Sequence, residues 1–253
     1  MNIIRGFALG LLLGSNCLAW HFPVHEQITR RAIDSLPPVM RQTWAPVTER
    51  IARRYCLYPD RIQGAKEPEL SVMRRFCIRN DGKPIHNITW QPEDDLRSLT
   101  FSMNGIVDAM RSRDIDTAAQ HAGVLAHFLE DSTCPAHALI PADSPLDSMR
   151  ELFAPPDKMQ IALHPAIERS APAFDLAGRA PQKAGVSVEK AAEALLERCY
   201  VIVRGNRENL EALVKAIYAD DDATVNRMRR NAARSGAELL ADAYYSALQL
   251  AAR

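Results

Sequence analysis

All seven histidines of the 253-residue sequence lie between positions 21 and 164, and several keep short, fixed distances from carboxylates. His127-Phe-Leu-Glu-Asp131 sets an imidazole and a carboxylate four residues apart, which on a helix puts both on one face. Asp131 and His137 then frame Ser-Thr-Cys-Pro-Ala, in which Pro135 cannot continue a helix and turns the chain back. His164-Pro-Ala-Ile-Glu168 repeats the four-residue spacing. Imidazole and carboxylate together suit zinc, which takes nitrogen and oxygen donors in open catalytic sites. One such pair is ordinarily a surface contact or a satisfied polar pair; the conjunction of several points to a metal.

Helices must position these groups. Apolar residues recur at helical spacing in Ile28, Ala32, Ile33 and Leu36, and again in Leu96, Leu99, Met103, Ile106, Val107 and Met110. Asp114 to Glu130 carries a stripe of Ala118, Ala122, Leu125, Ala126 and Leu129, and long helices are expected over Ser187 to Ala219 and Ala223 to Ala252. Strand-like alternation is scarce, and no internal repeat is visible. Pro37-Pro38, Pro141 to Pro145, Pro155-Pro156 and Pro181 punctuate the helices without a low-complexity linker, so the expected architecture is an all-α, single-domain helical bundle over 20–253.

The first nineteen residues have a cation at Arg5, an apolar run from Phe7 to Leu13 and a small residue at Ala19, the pattern of a secretory signal cut before Trp20. The expected location is the periplasm or the exterior. Removal of residues 1–19 takes Cys17 away and leaves Cys56, Cys77, Cys134 and Cys199, an even number for an oxidising compartment. Disulfides Cys56–Cys77 and Cys134–Cys199 are one expectation, and reduced, buried thiols are the other. Lys plus Arg equals Asp plus Glu at 31 each, so no basic field argues for bulk nucleic-acid binding. Trp20-His-Phe-Pro-Val-His25 would begin the cut chain, and its free amino group, its carbonyl and the His25 imidazole could chelate a metal.

With these residues the sequence resembles the zinc-dependent phospholipase C family and the related zinc-dependent single-strand-specific nucleases, which share a helical fold and a trinuclear zinc site. The resemblance runs from Trp20 to Glu168. It implies three zinc ions: one held by Asp60, His86, His127 and Asp131, one by His137, His164 and Glu168, and one by Trp20 and His25 with Asp131 bridging. Departures are visible. Glu130 stands where the family usually has glycine, and the stretch from Asp60 to His86 is longer than usual and contains Asp81 as a competing carboxylate. Arg61 follows Asp60 where choline-cleaving members carry an aromatic residue, so choline preference does not transfer. His21 and His121 stay outside the implied set, His121 as a surface or capping residue.

The implied activity is hydrolysis of phosphodiesters, with Asp60, Asp131 and Glu168 as the catalytic carboxylates and Asp60 as a ligand or also a proton acceptor. His164-x-x-x-Glu168 favours a phospholipase C acting on phospholipids, with transient membrane-surface contact, no stable nucleic-acid complex and a monomeric state. The short Trp20 to His25 spacing favours a nuclease. The third expectation is a secreted zinc-binding protein without catalysis.

Overall fold

The computed structural model describes residues 20–138 and 163–253, and among them every regular element is helical. Residues 1–19, with the expected signal, and the proline-rich connections at 141–145 and 155–156 lie outside the described residues. Short helices open the chain: α1 (Phe22–Asp34), α2 (Pro38–Trp44), α3 (Thr48–Arg53), a 3-10 turn at Tyr55–Leu57, α4 (Tyr58–Arg61) and α5 (Glu69–Cys77). Longer ones follow, α6 (Pro92–Arg111) and α7 (Ile115–Ser132), then a 3-10 turn at Pro135–His137. The last three are α8 (Leu163–Glu168), α9 (Val188–Tyr218) and α10 (Asp222–Ala251).

Two helical hairpins form the frame, α6 with α7 and α9 with α10, and α1 lies against α10 and α7. Both hairpins turn by the same device. Arg113 and Asp220 adopt left-handed backbone at φ 59° and 53° just past their helices. Their N–H groups, and those of Asp114 and Asp221, return to carbonyls of the last helical turn, the Schellman arrangement. Asp114 and Asp221 then cap the next helix by accepting from Thr117 N at 3.0 Å and Thr224 N at 3.1 Å.

α7 is the central helix, and every residue from Ala122 to Ala136 is buried. A helix enclosed on all sides must be apolar all round or carry polar groups that find partners inside. Its small residues let neighbours approach. A Cβ on Gly123 would lie 2.3 Å from the Tyr55 Cβ and 2.5 Å from the Tyr55 carbonyl carbon. Glycine therefore lets the turn at Tyr55–Leu57, which leads straight into Asp60, sit against α7. The helical stripe read over Asp114 to Glu130 extends to Ser132, which keeps Asp131 inside the helix.

The chain from Cys77 to Ile85 doubles back in a tight turn with one isolated bridge, Ile78 to Pro84, closed by Ile85 N to Cys77 O at 2.7 Å. Gly82 takes φ 81° at its tip, a conformation open to glycine at little cost. Arg79, 5% exposed, pins this turn to α6 through the Asp94 carbonyl at 2.6 Å and the Ser98 hydroxyl at 2.8 Å.

Two expectations are corrected. Cys56, Cys77, Cys134 and Cys199 are free and buried, so neither expected disulfide is formed. Each thiol is packed as a small apolar side chain: Cys56 Sγ donates to the Ala52 carbonyl at 3.0 Å, and burial pushes the Cys199 thiol up to about 12. His121 is a packing residue rather than a surface or capping one. Its ring lies edge-on to Phe76 at 4.9 Å and Phe101 at 5.6 Å, over Gly105, and burial lowers its pKa to about 4.

Candidate metal centre

Six separate elements deliver the side chains: α1 brings His25, α4 Asp60, the turn after α5 His86, α7 His127 and Asp131, the 3-10 turn His137, and α8 His164 with Glu168. They converge in two groups in which ligand atoms lie within 4.8 Å of one another, Asp60–His86–His127–Asp131 and His137–His164–Glu168.

In the first group His86 Nε2 is 3.2 Å from Asp60 Oδ1, and His127 Nε2 is 3.0 Å from Asp131 Oδ2 and 3.6 Å from Asp60 Oδ1. His86 Nδ1 stands 3.6 Å from Asp131 Oδ2. His25 adjoins this group, with its ring stacked on His127 at 4.9 Å and its Nε2 3.4 Å from Asp131 Oδ1. In the second group both His137 Nε2, at 3.4 Å, and His164 Nε2 approach Glu168 Oε1. The resemblance favoured Asp60 over Asp81, and the two carboxylates have different surroundings. Asp81 is exposed and bound to Arg79 at 2.7 Å, which holds its carboxyl down at about 2, whereas Asp60 faces His86 and His127. His21 is exposed.

Trp20 is placed less directly. Its indole is fully buried in the core. The N–H of the next residue, His21, donates to the Glu168 carbonyl at 3.4 Å, which ties this stretch to α8. No described contact joins the Trp20 backbone to either group.

The chemistry of the donor set fits a metal. His25 Nε2, both nitrogens of His127, Asp60 Oδ2, both oxygens of Asp131, His137 Nε2 and His164 Nδ1 are buried without a hydrogen-bond partner. A buried polar atom left unpaired costs about 1–3 kcal/mol, and most buried polar atoms in folded proteins are paired. Carboxylate oxygens and imidazole rings that each offer one lone-pair nitrogen are the donors zinc accepts, so this set of orphans could hold cations.

Protons fill part of that role in the metal-free chain. Burial opposes a charge on His25, but the Glu130 hydrogen bond and the Glu130, Asp131 and Asp60 carboxylates lift its pKa to about 9. His86 is raised in the same way, against burial, by Asp60 and Asp131. Asp131 is pulled well below the usual carboxylate range, despite burial, by His127, His25 and His86. Burial lifts Glu168 to about 7 against the opposing pull of His137, and burial lowers His164.

Several residues that hold the site were not picked out by sequence reasoning. Glu130, fully buried, places Oε2 2.6 Å from His25 Nδ1 and accepts from Thr29 Oγ1 at 2.7 Å. The Asn87 amide lies 2.9 Å from His137 Nδ1, and presenting its oxygen would leave His137 Nε2 as a free lone pair. Ser132 Oγ accepts from Ile88 N at 3.0 Å and so fixes the segment that carries His86 and Asn87. Arg229, 8% exposed, donates to the carbonyls of Ile167, at 2.9 Å, and Ala166, holding the end of α8. Of these, Glu130 carried a signal, a charge inside an apolar stripe between two ligands; the others depend on contacts across the fold.

No family model matches the chain, and no curated protein matches it.

Proposed function

We infer that this protein is a zinc-dependent hydrolase of phosphodiesters, acting as a phospholipase C. The observation that carries the reading is the cluster of buried, unpartnered imidazole and carboxylate atoms in two adjoining groups. Asp60, His86, His127 and Asp131 would hold one ion, His137, His164 and Glu168 a second, and His25 with Asp131 and the Trp20 backbone a third. Zinc at such positions acidifies water towards a pKa of about 7 and offsets charge on phosphoryl oxygens.

The chain's own groups have distinct parts. Asp60 is the proton acceptor of choice, because His86 engages Oδ1 while Oδ2 is buried with no partner. Asp131 links the first group to His25 through its two oxygens. Glu168 meets both imidazoles of its group through Oε1. Arg61, next to Asp60, is exposed and holds its guanidinium 5.7 Å over the Phe22 ring. A cation there favours anionic phosphate groups and disfavours a choline head.

Lipid is preferred over nucleic acid because the resemblance reads the His164-x-x-x-Glu168 pair as the phospholipase arrangement. No described helix is long and apolar enough to cross a membrane. Export ahead of Trp20 belongs to the same reading. The test is a side-by-side assay of zinc-loaded protein on a phosphocholine ester, on phosphatidylcholine and phosphatidylglycerol vesicles and on single-stranded DNA. Diacylglycerol release, abolished by a chelator, is the expected result. Cleavage of DNA alone would establish the nuclease alternative, and bound zinc with no hydrolysis would leave a non-catalytic zinc-binding protein.

A further inference from the structure

Glu130 and Asp131 are adjacent carboxylates, both fully buried near the end of α7. Two charges side by side in a protein interior are costly unless each is satisfied. They are satisfied differently. Both oxygens of Glu130 are taken, Oε2 by His25 Nδ1 at 2.6 Å and Oε1 by the Thr29 hydroxyl at 2.7 Å, whereas both oxygens of Asp131 lack a hydrogen-bond partner. His25 and Thr29 are four apart on α1, so one face of that helix grips one carboxylate.

The consequence lies at the other end of the imidazole. When His25 carries a single proton, as it must to hold a cation, Glu130 keeps that proton on Nδ1 and leaves the lone pair on Nε2. Nε2 is buried and unpartnered, and it stands 3.4 Å from Asp131 Oδ1. We propose that Glu130 is a positioning residue which orients the His25 ring and sets its tautomer, and so shapes the third cation position between His25 Nε2 and Asp131 Oδ1. The proposal rests on the metal reading above and adds to it a side chain that is not itself a ligand. The competing role for Glu130 is a plain strut between α1 and α7, which would change stability but no single metal affinity.

The experiment uses the full processed chain, with Zn2+ followed by elemental analysis at buffered free zinc and 113Cd2+ followed by NMR. Wild-type protein is expected to hold three ions and to give three cadmium resonances. Glu130→Gln keeps the shape and an acceptor for His25 but removes the charge. It is expected to weaken one position by about 10–100-fold and leave the other two unchanged. Glu130→Ala is expected to lose that ion and its resonance, with the metal-free fold intact by circular dichroism. Wild-type affinities in Glu130→Gln, equal weakening of every position or failure of that variant to fold would each overturn the proposal in favour of the strut. Two ions in the wild type would overturn it while the metal reading stands; none would sink both.

Discussion

Removing metal from this protein should invert the pH dependence of its stability. In the metal-free chain His25 has a folded pKa of about 9 against 6.5 for the free side chain. A group whose folded pKa is raised stabilises the fold fully below its unfolded pKa and loses that contribution as pH climbs through the folded value. The His25 contribution is therefore present at pH 6 and gone by about pH 9.5. At about 1.36 kcal/mol for each pH unit, the rise from 6.5 to about 9 is worth about 3 kcal/mol. For a chain of this size that is a fall of about 6–12 °C in Tm. Glu168, raised from 4.5 to about 7, has the same sign and loses its contribution over that lower window. Metal loading reverses the trend, because zinc binds the deprotonated ligands and its affinity grows as protons leave. Calorimetric scans of chelated and zinc-loaded protein from about pH 6.5 to 9.5, above the window in which the lowered pKa of His121 acts in the opposite sense, should diverge, the first falling and the second holding or rising. Parallel curves would refute the reasoning, since they would mean that the imidazoles and carboxylates do not compete for protons and metal in one site.

Asp131→Asn should reduce zinc content at more than one position and lower turnover at least ~100-fold, because its two oxygens face His127, His86 and His25. His121→Ala should keep full zinc content by elemental analysis while lowering Tm, since its ring packs against Phe76 and Phe101 away from the ligands. Gly123→Ala drives a methyl into the Tyr55 backbone and should cost about 1–3 kcal/mol in chemical denaturation; an unchanged midpoint would show that the turn at Tyr55 yields freely. Extra residues left ahead of Trp20 should cost one zinc per chain by elemental analysis, because an amide nitrogen is a far poorer ligand than the amino group that cleavage would expose.

What the sequence disclosed was local. α7 was legible because helical period and the His127 to Asp131 spacing agree, and α9 and α10 were legible from long apolar stripes; each lies within a residue or two of its expected bounds. The grouping of His137 with His164 and Glu168, across 27 positions, came from the resemblance and was not available from spacing. Parity of cysteines carried no distance information, and a buried thiol has the same sequence signature as half of a disulfide. Asp81 had a local tell in Arg79, two residues before it, whereas His121 did not, because Phe76, Phe101 and Gly105 reach it from other helices.

The clearest sign of function is a broken local rule. The last turn of a helix carries the negative end of its dipole and favours Lys, Arg or His. α7 ends instead with Glu130 and Asp131 and has no basic residue in its final turn. Only His127 offsets that charge from within the helix. The compensation arrives from α1 as His25, from the turn after α5 as His86, and from one turn back on α7 as His127. Three imidazoles brought by such different parts of the chain would be an extravagant way to neutralise two acids, and they still leave both Asp131 oxygens unpartnered. Hydrophobic residues at 130 and 131 would stabilise the core at less cost. The acids make physical sense as the negative side of a cation site, with the helix end adding to the field that would hold an ion.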